Sequence, residues 1–557
     1  MQLLKSWKYS LLLLLGLTVA ITACDNDDEP EAVLSITGVN PTSAPISSTV
    51  TITGTQFNST PASNTVTFGG NAVATVVSAS PTQLVVTVPA NAQNGAITVA
   101  TGSQTATSTQ QFTLANRPVI TIAGNITANQ NWTAGNVYEL RGFVNVDNNA
   151  VLTIEPGTLI KGAGRDQDPS GQQRGATLII RPGSRLEARG TAAAPIVFTS
   201  ARAAGQRARG DWGGIFLIGR APINRPGSEL IEGGIGGTTG TFNEPQDNSG
   251  TLQYVRIEFS GIALLPNSES NGLTMYGVGS GTTIDHVQVS FGGDDAFEWF
   301  GGTVNCKYLV ALRNFDDDWD VDFGYSGKVQ YGVSLRDPNV ADVSGSNGFE
   351  SDNFNPGAPA TGPNAGLPLT SAVFANMSNF VFSGAPSNAP TSGGSGPFQS
   401  GMHLRRNTSI SIFNSLVFGY PEGLRLDAQT GTKNTLENAT AGNLQLRGIV
   451  VANTTTPVRG AQNVTNDEAT AFFNTAAFGN RVYATSDIAQ LLLNAQNFNL
   501  TAPNFLPQSG SPLLSGAIWD GKGADNFFTK EQFRGAFGTT DWTQGWTNWD
   551  PNSTPYN

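Results

Sequence analysis

The sequence predicts an all-β chain: a small antiparallel sandwich, then a large right-handed parallel β-helix with a C-terminal cap. Three observations carry this expectation. Only 13% of the 557 residues are charged and 65 are glycine, the composition of a β protein with many tight turns. Short alternating strands separated by Gly, Pro and Asn fill residues 34–115. From about residue 117 the chain repeats itself at intervals of 22 to 29 residues, and units of that length bury their apolar faces by stacking on one another.

Residues 1–23 begin with Lys5 and Lys8 and continue as an apolar run from Leu11 to Ile21. This is a secretory signal, too short and wrongly flanked to span a membrane. Ile21-Thr22-Ala23-Cys24 resembles a bacterial lipobox, in which small residues admit the peptidase and the Cys24 thiol takes the lipid. Asp25-Asn26-Asp27-Asp28-Glu29, within an acidic linker at 24–33, resembles the surface-export signal of Bacteroidetes lipoproteins. The resemblance implies lipidation at Cys24, attachment to the membrane through that anchor, and residence in the outer membrane facing the cell surface. Buried acyl chains contribute roughly 0.8 kcal/mol per methylene, so several together hold a protein on a bilayer.

In residues 34–115 the strands include Ser35-Ile36-Thr37-Gly38-Val39, Thr49-Val50-Thr51-Ile52-Thr53, Val66-Thr67-Phe68 and Leu84-Val85-Val86-Thr87-Val88. Gly54 to Phe57 forms a G-x-x-F, and Phe68-Gly69-Gly70 marks a hairpin. The segment resembles an IPT/TIG domain, an immunoglobulin-like module that implies a spacer or binding role and no chemistry.

Residues 117–460 carry the repeats. Leu152-Thr153-Ile154-Glu155-Pro156-Gly157 recurs 26 residues later as Leu178-Ile179-Ile180-Arg181-Pro182-Gly183. Asn271-Gly272-Leu273-Thr274 aligns with Asp295-Ala296-Phe297-Glu298, Asp318-Trp319-Asp320-Val321, Asn347-Gly348-Phe349-Glu350, Ser400-Gly401-Met402-His403 and Glu422-Gly423-Leu424-Arg425. A second strand repeats in phase at His286 to Phe291, Tyr308 to Arg313 and Tyr331 to Arg336. Gly/Asn/Pro-rich insertions at 223–250, 353–370 and 384–399 are expected to project as loops. Residues 461–557 hold two short helical patterns, starting near Asn466 and Ser486, and a tail with Trp519, Trp542, Trp546 and Trp549. A β-helix end leaves strand edges unpaired, so the tail is expected to cover one; an aromatic sugar platform is the other reading.

Several motifs of 117–557 resemble a family of secreted right-handed β-helix repeat proteins of Bacteroidetes and related bacteria. They include Gly210-Asp211-Trp212-Gly213-Gly214, Gly292-Gly293-Asp294-Asp295-Ala296-Phe297-Glu298-Trp299-Phe300, Ser346-Asn347-Gly348-Phe349-Glu350-Ser351-Asp352 and Arg534-Gly535-Ala536-Phe537-Gly538. The resemblance implies fold and location and supplies no reaction.

One region is dense in acid for so uncharged a chain: Asp294, Asp295, Glu298, Asp316, Asp317, Asp318, Asp320, Asp322, Glu350 and Asp352. The alignment puts Asp295, Asp318 and Asn347 in one column. A second column reads Thr274, Glu298, Val321, Glu350, His403, Arg425, and a third Tyr276, Phe300, Phe323, Asp352, Arg405, Asp427. Carboxylates one coil apart, about 4.8 Å, repel by roughly 1 kcal/mol in water and about 3–4 kcal/mol at an effective dielectric of 20. They need protons, basic partners or a metal. Oxygen ligands without His or Cys favour Ca²⁺, so the expected metal ligands are Asp294, Asp295, Glu298, Asp317, Asp318, Asn347 and Glu350. A solvated acidic turn near Arg313 and Arg336 is the competing reading. Were there catalysis, Arg405 or His403 would be the base of a lyase, or paired carboxylates would hydrolyse a glycosidic bond.

The net charge of −12 and the lack of a basic patch argue against nucleic acid as a partner. Cys306 sits beside Tyr308, Leu309 and Val310 and reads as a buried thiol. The expected function is binding of an extracellular polymer, a glycan, near an outer-membrane uptake system. The alternatives are a Ca²⁺-dependent polysaccharide lyase or glycoside hydrolase, and an adhesin or structural surface protein. Cys24→Ala is expected to abolish acylation and move the protein out of the membrane fraction. Retention there, checked by acyl labelling and fractionation, would refute Cys24 as the anchor.

Overall fold

The computed structural model describes residues 33–89, 91–225, 230–231, 235–236, 241–262, 270–353, 366–387, 396–428 and 432–556. Cys24 and the acidic stretch behind it lie outside the described residues, as do parts of the three insertions. No helix among the described residues is long and apolar enough to cross a membrane.

In the first domain, Ser35–Asn40, Thr49–Thr55, Gln83–Thr87 and Ala72–Ser80 pair antiparallel in that order. Asn64–Gly69, Gln93–Thr101 and Gln104–Leu114 complete the sandwich. Alternation sends Ile52, Leu84 and Val86 from one layer, and Val66, Phe68 and Phe112 from the other, into a shared core. The G-x-x-F has a steric cause: a Cβ on Gly54 would collide with the Ser35 carbonyl and with the Phe57 ring.

The second domain is a parallel β-helix in which strands pair with equivalents in neighbouring coils. One inward column runs Val144, Leu178, Ile215, Leu273, Phe297, Trp319, Phe349, Met402, Leu424. Every member is fully buried in a core shared by all the coils.

This register corrects the sequence alignment in one coil. Phe297 pairs with Trp319 and Glu298 with Asp320, so the partner of Glu298 and Glu350 is Asp320 and not Val321. Asp322 likewise replaces Phe323 in the third column. Aligning on the repeated Asp letters shifted the coil by one residue, and a one-residue slip turns every side chain to the opposite face. In this coil Trp319 and Val321 point inward while Asp320 and Asp322 point outward.

Corners where the long strands bend use left-handed backbone at bulky residues. Tyr254, His286, Tyr308, Tyr331, Asn376 and Asn414 have φ between 49° and 65° and follow one another at equivalent positions of successive coils. Left-handed backbone costs an L residue roughly 1–2 kcal/mol, and stacking offsets it. Tyr254–His286, His286–Tyr308 and Tyr308–Tyr331 have ring centroids 4.3, 4.3 and 4.7 Å apart. His286, expected within a strand, lies inside the strand Thr283–Ser290 at the point where that strand bends.

The C-terminal end is closed by the helices Asn434–Thr440 and Asn466–Phe473, which place Leu436, Ala469, Phe472 and Phe473 against the core. Thr465 and Glu468 form a reciprocal capping box on the second helix. The Trp-rich tail does something else. It lies along the flank of the coils, where Trp542 and Trp546 meet the corner rings edge-on. Side-chain amides grip its backbone in both directions: Gln330 Nε2 donates to Thr529 O (2.7 Å) and Gln330 Oε1 accepts from Thr529 N–H (2.9 Å), and Gln288 does the same to Asn548. Near the first coils, Arg207 donates to Pro551 O and Thr554 O, and Lys161 to Tyr556 O. With Trp546 buried and Trp542 stacked on Phe537, the tail offers no open aromatic platform at these two rings.

Trp319→Ala and Phe349→Ala are each expected to cost about 3–5 kcal/mol, whereas Asp320→Ala is expected not to lower stability. Denaturant titration separates these outcomes, and a loss at Asp320 with none at Trp319 would restore the shifted register.

Candidate functional site

One outward column of the β-helix changes character along the axis: Ile179, Phe216, Thr274, Glu298, Asp320, Glu350, His403, Arg425, Arg459. Its first members join Ile218, Tyr276 and Phe300 in an outer apolar cluster. Its later members line a cleft. A hollow of about 380 Å³ is bounded by Asp294, Asp295, Asp316, Asp317, Asp320 and Glu350 on the acidic side and by His403, Arg405, Arg406 and Arg425 on the basic side. A larger hollow of about 1220 Å³ reaches back to Arg165, Arg202 and Arg209. Both are lined by Asp294, Asp316 and Ser344, so they form one groove running across the coils.

Part of the acid is structural. Asp295 Oδ1 accepts the Asp317 N–H (2.7 Å), Asp317 Oδ1 accepts the Asn347 N–H, and Asn347 Oδ1 accepts the Ser400 N–H (3.0 Å). Each side chain thus ties its coil to the next and satisfies a buried backbone donor. This column contains Asp317 in the place expected for Asp318.

The structure separates the expected metal ligands. Asp294, Asp295 and Asp316 bring carboxylate oxygens within 4.8 Å of one another, as do Asp295, Glu298 and Asp320. Asp295 thus meets Asp294 in one trio and Glu298 in the other, with Asp316 and Asp320 as the added members. Asp318 is corrected: it is fully buried in the core, 3.2 Å from Arg336 Nη1, with its other oxygen accepting from Tyr420 OH (3.1 Å). Asp317 and Asn347 serve as rungs. Glu350 is held by Arg405, by His403 Nδ1 (3.5 Å) and by Asn347 Nδ2 (3.0 Å). Two oxygens beside the second trio stand out. Asn271 donates through Nδ2 to Glu298, and its Oδ1 has no hydrogen-bond partner among the described residues. Thr274, one coil before Glu298 in the same column, has an Oγ1 in the same condition, and both residues are fully buried.

The electrostatics follow from the placement. Burial first, then the neighbouring Asp342 and Glu350, pushes the Asp316 carboxyl up to about 7. Burial and Asp352 push Asp322 up to about 7. Asp295 and Asp317 are raised as well, by burial and by the acids around them. Burial also acts upward on Glu350, but Arg405 and His403 outweigh it and hold Glu350 down at about 2. Arg405 lies 2.8 Å from Asp352 and also pairs with Glu350. Although burial opposes it, these two acids raise Arg405 above its ordinary value, which suits an ion-pair partner and not a general base. His403 Nε2 lies 3.4 Å from Asp427, so both expected bases are engaged by carboxylates.

Groups whose folded-state pKa is raised favour the folded protein below their unfolded value and lose that contribution as pH rises through the folded value. With Asp316 and Asp322 near 7, the melting temperature in EDTA is expected to fall as pH rises from about 5 to 8. Glu350 contributes in the opposite sense only below about 4.5. Asp322→Asn is expected to flatten the slope, as a melting series against pH would record.

The family described as "Pectate-lyase like beta helix domain" matches residues 124–493, and that described as "IPT/TIG domain" matches residues 34–114. No curated protein matches the chain. Among solved structures, an auxiliary nutrient binding protein from Bacteroides thetaiotaomicron VPI-5482 is 22% identical over 16% of this chain and 22% of that chain, with a TM-score of 0.15. One from Bacteroides ovatus ATCC 8483 is 21% identical over 16% of this chain and 22% of that chain, with the same TM-score of 0.15. The chain therefore spans about a fifth of the length of the solved chains it matches. The stacked parallel coils and the match over more than half of the sequence agree: this chain belongs to the pectate-lyase-like β-helix family, with an IPT/TIG domain in front.

Proposed function

We propose that the protein binds an extracellular polysaccharide along the groove of its β-helix. The observation that carries this reading is the groove itself, which crosses successive coils from Gly164 to Gln462 and is lined mainly by carboxylates, guanidinium groups and amides. Coils repeat at about 4.8 Å, so an extended polymer lying along the axis meets a fresh set of polar groups with each coil. Small apolar ligands prefer enclosed, largely hydrophobic pockets, which this groove is not. A pectate-lyase-like fold accords with a polysaccharide ligand.

In this reading Ca²⁺ binds at the acid trios, with Asp295 shared between them and Asn271 and Thr274 supplying neutral oxygens beside Glu298. A bound cation would offset the repulsion among these acids and give the polymer hydroxyls or carboxylates a ligand. The remaining parts of the proposal rest on sequence: a lipid on Cys24, an outer-membrane surface location in a Bacteroidetes-type cell, and delivery of the polymer to an outer-membrane transporter. The IPT/TIG domain then serves as the spacer between membrane and groove.

Calcium is expected to raise the melting temperature and EDTA to lower it. At a hundredfold excess over the dissociation constant the gain is about 2.7 kcal/mol. Asp295→Asn with Asp320→Asn is expected to remove the response and keep the fold. A glycan array probed with residues 24–557, with and without calcium, tests the ligand class. Binding without cleavage supports the proposal. Unsaturated products absorbing in the ultraviolet would establish a lyase instead, new reducing ends without unsaturation a hydrolase. Binding to cells but to no glycan would favour an adhesin.

A further inference from the structure

We infer that Arg336 is a positioning residue for the acid trios, acting on them through the backbone from inside the β-helix. The inference rests on the cation reading of the groove. Arg336 follows the strand Lys328–Leu335 and is fully buried, an expensive place for a guanidinium unless its surroundings satisfy it. They satisfy both Nη groups, with backbone from two different coils and the Asp318 carboxylate, while Nε has no hydrogen-bond partner among the described residues. Nη1 donates to Asp316 O, to Asn347 O (3.5 Å) and to Asp318 Oδ1 (3.2 Å), and Nη2 donates to Phe315 O (3.2 Å). The Phe398 ring packs 5.5 Å from the guanidinium. Tyr420 OH, 3.1 Å from Asp318 Oδ2, holds the counter-ion in place.

The consequence follows from peptide geometry. A trans peptide points its C=O and the next N–H in opposite directions. Drawing the Phe315 carbonyl inward turns the Asp316 N–H away, toward Asp294 O (3.4 Å). Drawing the Asp316 carbonyl inward turns the Asp317 N–H away, onto Asp295 Oδ1 (2.7 Å). Asp295 is the carboxylate common to both trios, and Asp316 belongs to one of them. One buried cation therefore orients the peptide that anchors the shared ligand, without itself lining the cleft.

The test uses residues 24–557 carrying Arg336→Lys or Tyr420→Phe, the second removing one hydroxyl with little change in core volume. Two quantities are read: terbium luminescence as a probe of cation affinity, and amide hydrogen exchange at Asp316, Asp317 and Asn347 against the distant strand Val137–Val146. Arg336→Lys is expected to weaken terbium binding roughly 10–100-fold and to speed exchange at Asp317 while leaving the distant strand protected. Tyr420→Phe is expected to shift both in the same direction by less, and decides the matter if Arg336→Lys does not fold. Unchanged exchange at Asp317, or faster exchange with unchanged terbium affinity, would overturn the inference. Faster local exchange in a protein whose parent binds no terbium would leave the backbone role standing and overturn the cation reading alone.

Discussion

Each coil of this protein must set the same strand residue over its counterpart in the coil below. That constraint governs both faces. On the inside it produces a continuous stack from Val144 to Leu424 with no exposed member. On the outside it converts a list of residues scattered over 280 positions, from Ile179 to Arg459, into one ordered column. The groove is a by-product of the same register: residues that would be strangers in any other fold become neighbours about 4.8 Å apart.

Such stacking places like charges together unless something intervenes, and the chain uses three remedies. Some carboxylates become acceptors for backbone N–H groups of the next coil, as Asp295 and Asp317 do. Others are matched to cations farther along the column, as Glu350 is to Arg405 and Glu422 is to Arg459. Asp294, Glu298, Asp316 and Asp320, gathered around the same Asp295, stay close enough to share protons or a cation. The boundary between second and third remedy runs through the cleft, with Glu350 held low by its basic neighbours and Asp316 driven high by its acidic ones.

The flank opposite in character to the groove is stabilised by rings. Left-handed corners at Tyr254, His286, Tyr308 and Tyr331 are unfavourable singly, but repetition places their rings at stacking distance. The tail then closes over outward apolar residues such as Val310, Val333 and Phe380 with its own Phe505, Phe537 and Trp546. The groove is a large polar concavity that this cover leaves open.

Much of this was legible in the sequence. Period-2 alternation and turn residues marked the sandwich, and in-phase repeats marked the coils, because both report local backbone geometry. The inward positions of Phe297 and Phe349 and the acid-rich column followed from the same repeats. What the letters could not supply was the offset of a single coil. Asp316-Asp317-Asp318 offers three near-identical choices, and only packing of Trp319 between Phe297 and Phe349 selects one. That selection moves Asp318 into the core beside Arg336, puts Asp320 into the groove, and makes Asp317 a rung. The sequence by itself determined the coil and the chemistry available on it. The tertiary structure decided which carboxylates meet, because a one-residue shift costs nothing in local propensity yet reverses the face of every side chain in the strand.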